Sequence, residues 1–566
     1  GSAVLEILVM KLVNGLHFNN LRGDIYGGVT AAVVALPLAL AMGVASGAGP
    51  IAGVYGAIFV GLFAALFGGT PAQVSGPTGP MTVVMAMVFT TYTGMFPDDP
   101  ARGAALAFTV VLMGGLFQVL FGFLRLGRYI ELVPHPVVSG FMSGIGVIII
   151  LLQLAPLLGQ DGASKPLLIA QEASGYFAHA DAPAIILGII ALVIVYGIPR
   201  FLPQVNRLMP SPLMALLVGT VVYVTLMADS GAPVLGEIPT GFPSPIVPRF
   251  ELSLLAGMVK SALTLAALGS IDSLLTSLVA DNITRTYHKS DRELIGQGIG
   301  NTVAGFFGGL PGAGATMRTV VNVKAGGQTP ISGALHAVIL LIIVLGAGVL
   351  AENIPKAVLA GILIKVGTDI IDWDYLRRLR RAPRAGVVIM FTVLFVTVFV
   401  DLITAVAIGI IMASLLFMQR MVNLQLETMK AITSPSEELP LGDREREIME
   451  QAKGRILLYH LGGPLSFGAA KGMVRRMANF DHYDVLVLDF SDVPTLDFTS
   501  ARAVEDMIHD AQTRGRTVFM VNRHANVIAF LQKQGVLARL PEGHQYPSRL
   551  AALEDALVRL EESVSA

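Results

Sequence analysis

The sequence predicts an all-α polytopic membrane domain of fourteen transmembrane segments, arranged as a 7+7 inverted repeat and followed by a small α/β domain. Three observations carry that prediction. Hydrophobic residues fill 54% of 566 positions and charged residues only 14%, with a mean hydropathy of +0.68, which places most of the chain in lipid. The phrase Phe67-Gly68-Gly69-Thr70-Pro71 returns as Phe307-Gly308-Gly309-Leu310-Pro311, and each copy runs shortly afterwards into Thr-Val-Val, at Thr82-Val83-Val84 and Thr319-Val320-Val321. From about Ser434 the composition turns polar through Glu437, Glu438, Asp443, Arg444, Glu445, Arg446 and Glu447, and the apolar runs beyond are short.

Gly1-Ser2 reads as a cloning scar and residues 3–24 as a cytoplasmic N-terminus, because Ala3 to Leu16 has neither a basic start nor a cleavage-site pattern. Apolar runs follow at 25–47, 51–68, 80–94, 103–124, 136–157, 183–200, 210–228, 254–282, 293–309, 315–325, 331–351, 356–371, 385–401 and 403–423. A span needs roughly 17–25 residues, so the third and tenth are too short to cross alone. Lys and Arg gather on cytoplasmic loops. Here they follow the even-numbered segments, at Arg125 and Arg128, Arg200 and Arg207, Arg285, Lys289 and Arg292, and the cluster from Arg377 to Arg384. The odd loops hold Asp98, Asp99, Asp161, Asp229, Glu237, Glu251 and Glu352, with Arg102, Lys165 and Arg249 as scattered exceptions. Both termini are then expected in the cytoplasm. A repeat of seven crossings, being odd, puts its second copy upside down.

The domain layout is a transmembrane domain over 25–428, a linker over 429–452 and a soluble domain over 453–566. In the last, Ile456–Tyr459, Val485–Phe490 and Thr517–Val521 read as buried strands, and Ala501–Gln512 and Ala525–Gln534 as helices. Strand–helix alternation over ~110 residues predicts one α/β domain.

Matched broken segments in two halves point to a transporter's binding site. If Met81 and Ala315 begin half-helices three and ten, inverted symmetry aims both amino ends at one place in mid-bilayer, where unsatisfied N–H groups and two dipoles favour an anion. The hydroxyls of Thr78, Thr82, Thr316 and Thr319 surround this point, and Gly76, Gly79, Gly312 and Gly314 allow the backbone close to a ligand. A small oxyanion suits that inventory. Asp272 in segment eight and Arg318 in segment ten are functional candidates, since an ion in lipid is costly unless paired or facing a cavity. Asp272 and Thr276 share a helical face and, with Gly314 and Thr316, offer oxygens to a hard cation such as sodium. An Asp272–Arg318 salt bridge is the competing reading, and one that opens on protonation would couple transport to protons. Lys365 and Asp369, four residues apart, read as a structural ion pair. Gln153, Thr90 and His336 read as packing or hydrogen-bonding residues.

Long phrases then carry a family resemblance: Ala35-Leu36-Pro37-Leu38-Ala39-Leu40-Ala41, Gly76-Pro77-Thr78-Gly79-Pro80-Met81-Thr82-Val83-Val84, Ser139-Gly140-Phe141-Met142-Ser143-Gly144-Ile145-Gly146, Glu293-Leu294-Ile295-Gly296-Gln297-Gly298, Gly312-Ala313-Gly314-Ala315-Thr316-Met317 and Asp369-Ile370-Ile371-Asp372-Trp373. From Arg22 to the carboxyl terminus the chain resembles the SulP sulfate-permease family, and within it the cyanobacterial bicarbonate carriers. The resemblance implies a core of segments one to four and eight to eleven, a gate of five to seven and twelve to fourteen, a cytoplasmic STAS domain, a homodimer and a bacterial inner membrane. It also implies sodium at Asp272, Thr276, Gly314 and Thr316, and bicarbonate at Thr78, Ala315 and Thr316, with Met81, Thr82 and Arg318 completing the expected anion set. The implied activity is sodium-coupled bicarbonate uptake by an elevator-like movement of core against gate. Arg318 would strengthen anion binding and repel sodium, so a proton-coupled or exchanging sulfate or dicarboxylate transporter stays open. Leu488-Asp489-Phe490 followed by Asp497-Phe498-Thr499-Ser500 resembles the phosphorylated turn of anti-sigma-factor antagonists; Thr499 or Ser500 is expected to cap the following helix, with a regulatory role as the other reading.

Net charge is −1, with no basic footprint for nucleic acid. Cysteine is absent, which excludes disulfides and thiol chemistry. No cofactor, metal-ligand spacing or nucleophile–base motif is apparent, so an enzyme is not expected. An anion channel uses similar helix dipoles, and a nucleobase permease would need side chains that read a base edge.

Overall fold

The structure, a computed structural model, describes residues 13–130, 132–161, 166–237 and 241–565. Gly1-Ser2, where a scar is expected, the N-terminal stretch up to residue 12 and Lys165 lie outside the described residues. The chain divides into two compact units, Gly1–Ile410 and Ile411–Ala566.

Fourteen principal helices occupy the fourteen apolar intervals: α1 Leu21–Ala45, α2 Pro50–Phe67, α3 Gly79–Met95, α4 Pro100–Phe123, α5 His135–Leu152, α6 Ala182–Phe201, α7 Ser211–Val222, α8 Leu255–Thr284, α9 Ser290–Phe306, α10 Thr316–Lys324, α11 Pro330–Ala351, α12 Lys356–Ile370, α13 Arg384–Phe399 and α14 Leu402–Thr428. Proline within the first two positions starts α2 to α7 and α11, where its missing N–H costs nothing. Asp99, Asp181 and Thr329 cap α4, α6 and α11 by accepting a backbone N–H. Among the described residues, eight helices are long and apolar enough to cross a membrane. A further helix, Pro166–Ala178, escapes the hydropathy reading because it is short and carries Gln171, Glu172 and Ser174.

Helices α1–α4 and α8–α11 pack chiefly on one another, while α5, α6, α7, α12 and α13 form a second group that meets the first through α1 and α3. The first group is built on small residues. A Cβ on Gly53 would lie 1.8 Å from the Ala39 carbonyl, and one on Gly298 would lie 2.6 Å from that of Gly115, close backbone contact of the kind that joins helices in lipid. In α6 and α7 the opposite holds: about 28% of each span is buried, against 67% in α1, and Ile186, Ile189, Val193, Leu217 and Val221 are exposed. Such helices are apolar on the outside because lipid is their solvent.

One element is absent from the sequence reading. Two three-residue strands, β1 Ser75–Pro77 and β2 Gly312–Gly314, precede α3 and α10 and pair antiparallel, Ser75 with Gly314, Gly76 with Ala313 and Pro77 with Gly312. The membrane unit is therefore helical around a two-stranded ribbon, and the Gly/Pro breaks are paired backbone rather than simple kinks.

The second unit holds a five-stranded sheet in chain order, β3 Lys430–Ile432, β4 Ile456–Gly462, β5 Val485–Asp492, β6 Thr517–Val521 and β7 Gln545–Tyr546, parallel except for β3. Period-2 alternation sends Leu457, Tyr459, Leu486 and Leu488 to one face and Ile456, Leu458, Val485 and Val487 to the other. Helices α16 Phe467–Ala478, α17 Phe498–Thr513 and α18 Ala525–Lys533 cover the first face, α15 Asp443–Gln451 and α19 Arg549–Ser565 the second. The expected linker over 429–452 is corrected here: it supplies β3 and α15, and Met429, Ile432, Ile448 and Met449 are buried in the two cores. Its charges mislead because α15 is amphipathic and shows them only on its outer side.

At the carboxyl ends of β4 and β5, buried Asp489 meets His460 Nδ1 at 2.9 Å and Arg549 Nη1 at 3.5 Å. Burial alone would raise the Asp489 carboxyl, but bonds from His460 and from the Ser491 hydroxyl and amide outweigh it and hold the group below the usual carboxylate range. A depressed folded-state pKa contributes stability above the unfolded value of about 4, and that contribution is lost as pH falls through the lower folded value. Pulsed hydrogen exchange of β4 and β5 peptides should therefore show weakening protection below about pH 4.5 in the wild type and a flatter acid limb in Asp489→Asn; parallel acid limbs would count against it.

Candidate functional site

Non-helical backbone inside an apolar unit must find its hydrogen bonds within the protein. Around β1 and β2 side chains supply them. Asn301 Oδ1 accepts from Gly312 N at 2.7 Å and its Nδ2 donates to Gly312 O at 3.0 Å, so one side chain imitates a strand neighbour. Thr319 Oγ1 accepts from Val74 N at 3.0 Å, Ser273 Oγ accepts from Gly314 N at 3.1 Å, and Asn322 Nδ2 donates to Ala72 O at 2.9 Å. Buried Glu293 holds the turn into β1: Oε2 accepts from Gly69 N and Thr70 N at 2.8 and 2.9 Å, and Oε1 accepts from Gln73 and Gln297 at 2.8 and 2.7 Å. Glu293, Gln297 and Asn301 stand four residues apart on α9, one polar stripe serving both strands.

The ribbon sets α3 and α10 tip to tip. Their first ladder bonds are Thr82 N to Thr78 O and Thr319 N to Ala315 O, both 2.9 Å, so the amides of Gly79 and Met81 and of Thr316, Met317 and Arg318 precede the helical ladders. Between the tips lies a cavity of about 330 Å³, lined by Thr78, Gly79, Asp272, Gly314, Ala315, Thr316, Met317 and Arg318 from the first helix group, and by Met142, Val366 and Asp369 from the second.

The predicted cation set is brought together. Thr276 Oγ1 donates to Gly314 O at 2.9 Å and lies 2.7 Å from Thr316 Oγ1, and Asp272, one turn away on α8, lines the same cavity. Asp272 Oδ2 is buried with no hydrogen-bond partner, and the Thr78 hydroxyl beside it completes no bond either. Of the predicted anion set, Thr78, Ala315, Thr316 and Arg318 line the cavity. Met81 and Thr82 do not: the Met81 side chain packs on Gly269, and Thr82 faces a neighbouring neck of about 20 Å³ with Met42, Ile149 and Gln153. Position within the first turn explains this, since only residues at the very tip point forward while the next ones turn sideways with the helix. Arg318 is fully buried; Nη2 donates to Pro77 O at 3.2 Å and Nη1 has no partner. Among the described residues no ion pair joins it to Asp272, so the structure does not contain that bridge.

The glycines act differently from the expectation that they make room for a ligand. A Cβ on Gly312 would lie 2.4 Å from the Gly76 carbonyl, so glycine there lets the strands cross; one on Gly76 would lie 2.3 Å from Arg318 Nη1 and one on Gly314 2.2 Å from Gln73 Nε2, so these two make room for side chains. In the second unit, Asp497 caps α17 by accepting from Ser500 N at 2.8 Å. Neither Thr499 nor Ser500 does so: Thr499 is exposed, and Ser500 is buried with an unbonded hydroxyl. Both lie inside the helix, two and three residues beyond the cap position at Asp497. His336 is buried beside Gly61 with both ring nitrogens unbonded.

Comparison with known proteins agrees with this architecture. Residues 21–393 match the sulfate permease family and residues 447–549 the STAS domain. The chain is 46% identical over 552 residues to the bicarbonate transporter BicA of Synechocystis, and 44% identical over 561 residues to BicA of Picosynechococcus, in each case across 97% of both proteins. The solved transmembrane domain of a cyanobacterial BicA superposes with a TM-score of 0.65 at 48% identity, over 70% of this chain and 99% of that one. The structure of SLC26A9, at 18% identity, shares the fold with a TM-score of 0.81 over 99% of this chain and 95% of that one.

Glu293→Ala should destabilise the membrane unit by roughly 3–5 kcal/mol, because four buried donors lose their acceptor, and Glu293→Gln by about 2 kcal/mol, because its amide meets donors. Melting of the detergent-purified chain measures both. Gly312→Ala, which drives a methyl into backbone, should cost at least as much as Glu293→Gln, on the order of 2 kcal/mol; unchanged melting would contradict the close crossing.

Proposed function

Because the chain belongs to the sulfate permease family, we propose that it is a secondary transporter of a small inorganic oxyanion, with bicarbonate as substrate and sodium as the coupled ion. It is a multi-pass membrane protein with a carboxyl-terminal STAS domain. The observation that carries the reading is the cavity between the two helix tips, which Asp272 and Arg318 both line while each keeps a buried polar atom, Asp272 Oδ2 and Arg318 Nη1, without a hydrogen-bond partner. Two opposite buried charges that do not satisfy each other leave a place for a cation beside one and an anion beside the other. Near full-length identity to two bicarbonate transporters supports bicarbonate as the anion.

In this reading Thr78, the Ala315–Thr316 backbone and Arg318 hold the anion at two positive helix ends. Asp272, Thr276, Gly314 O and Thr316 offer sodium the oxygens a hard cation prefers. Helices α1–α4 and α8–α11 carry the site as one body against α5–α7 and α12–α14, in a homodimer whose termini and STAS domain face the cytoplasm. A second reading, sulfate or dicarboxylate exchanged or driven by protons, rests on Arg318, whose fixed positive charge opposes sodium in the same cavity.

Uptake of labelled bicarbonate and of sulfate into proteoliposomes, with sodium and proton gradients imposed separately, tests the choice. Saturable bicarbonate uptake that rises with inward sodium is expected. Sulfate uptake that follows only the proton gradient would replace the first reading with the second. Asp272→Asn should abolish the sodium-stimulated component, a loss of at least about tenfold, while melting and elution stay close to wild type.

A further inference from the structure

The cavity has a second wall, and its charge is not absorbed by the site described above. Asp369, on α12, lines it opposite the helix tips. A carboxylate there would repel any anion entering a space of this size, strongly at low dielectric. Its charge is met by Lys365, one turn earlier on the same helix, whose ammonium bonds Asp369 Oδ1. The same ammonium lies 5.4 Å from the Tyr196 ring centroid, and the Tyr196 hydroxyl is 2.7 Å from Thr368 Oγ1. The Trp373 indole donates to Thr368 O at 2.7 Å, fixing the end of α12. A mere surface pair at this spacing contributes little; here the carboxylate lines the cavity, and the lysine beside it has a flexible stem and a second resting place over an aromatic face.

We propose that Lys365 and Asp369 form a charge latch on the anion cavity, in which Lys365 neutralises Asp369 when the cavity is empty and turns to the anion as it enters. The inference rests on the anion-transport reading and adds a specificity-determining pair on the second helix group. Divalent anions gain more than monovalent ones from a released lysine and lose more from an exposed carboxylate, so the pair tunes affinity by charge.

Concentration-dependent uptake of bicarbonate and sulfate into proteoliposomes tests it in wild type, Lys365→Met, Asp369→Asn, the double variant and Lys365→Arg, each checked by melting and size-exclusion elution. Lys365→Met should raise KM by about thirtyfold, Asp369→Asn should lower it about threefold, and the double variant should return within about twofold of wild type rather than to the roughly tenfold rise that independent effects would give. Both single-variant shifts should be larger for sulfate, and Lys365→Arg should stay near wild type. Equal KM in all variants, or shifts in the two single variants that simply add in the double, would overturn the latch and leave the transport reading standing. A wild-type chain that takes up neither anion would overturn both.

Discussion

Everything in the membrane unit is arranged around one requirement: two stretches of extended backbone cross where no water is available to bond them. The ribbon between Ser75–Pro77 and Gly312–Gly314 satisfies part of that demand itself. The rest falls to Asn301, Glu293, Gln297, Ser273, Thr319 and Asn322, each spending its polar group on backbone or on a partner that does. Glycine at 312 follows from the same requirement, because the Gly76 carbonyl sits where its side chain would be, and glycine at 76 leaves room for the Arg318 guanidinium. The helix tips, the cavity and its charges are consequences of that crossing being held.

With the crossing fixed, the electrostatics of the cavity follow from what the side chains do not do. Thr276 and Thr316 bond each other and the Gly314 carbonyl, so their oxygens are gathered in place. Asp272 and Arg318 both reach the cavity, yet neither ends on the other. A pair that closed on itself would be a staple, and this pair, held apart, is not one.

Much of this was legible in the chain. Apolar run lengths located the fourteen helices, and the repeated Phe-Gly-Gly phrase located both broken segments. The strands were not legible, because three residues rich in glycine and proline are poor strand formers and acquire their conformation only from each other. The polar stripe of α9 went unread, although Glu293, Gln297 and Asn301 at four-residue spacing form a pattern that marks one face turned toward something needing hydrogen bonds. Residue-level roles at the helix starts were harder: Thr78 and Ala315 sit at the tips, whereas Met81 and Thr82 are carried sideways within one turn. In the second unit, charged residues on an amphipathic helix disguised α15 as linker, while the alternating strands β4, β5 and β6 declared themselves.

The balance of Asp272 against Arg318 bears on how voltage would act on such a protein. Moving one elementary charge through 100 mV involves about 2.3 kcal/mol. If the first helix group moves as proposed, Asp272 and Arg318 would cancel each other's electrical work, leaving buried Glu293 as a fixed charge present in every state. A monovalent anion would add one negative charge to that constant, and a monovalent cation would remove it. Loaded and empty forms would then differ in their response to membrane potential by the charge of the cargo alone.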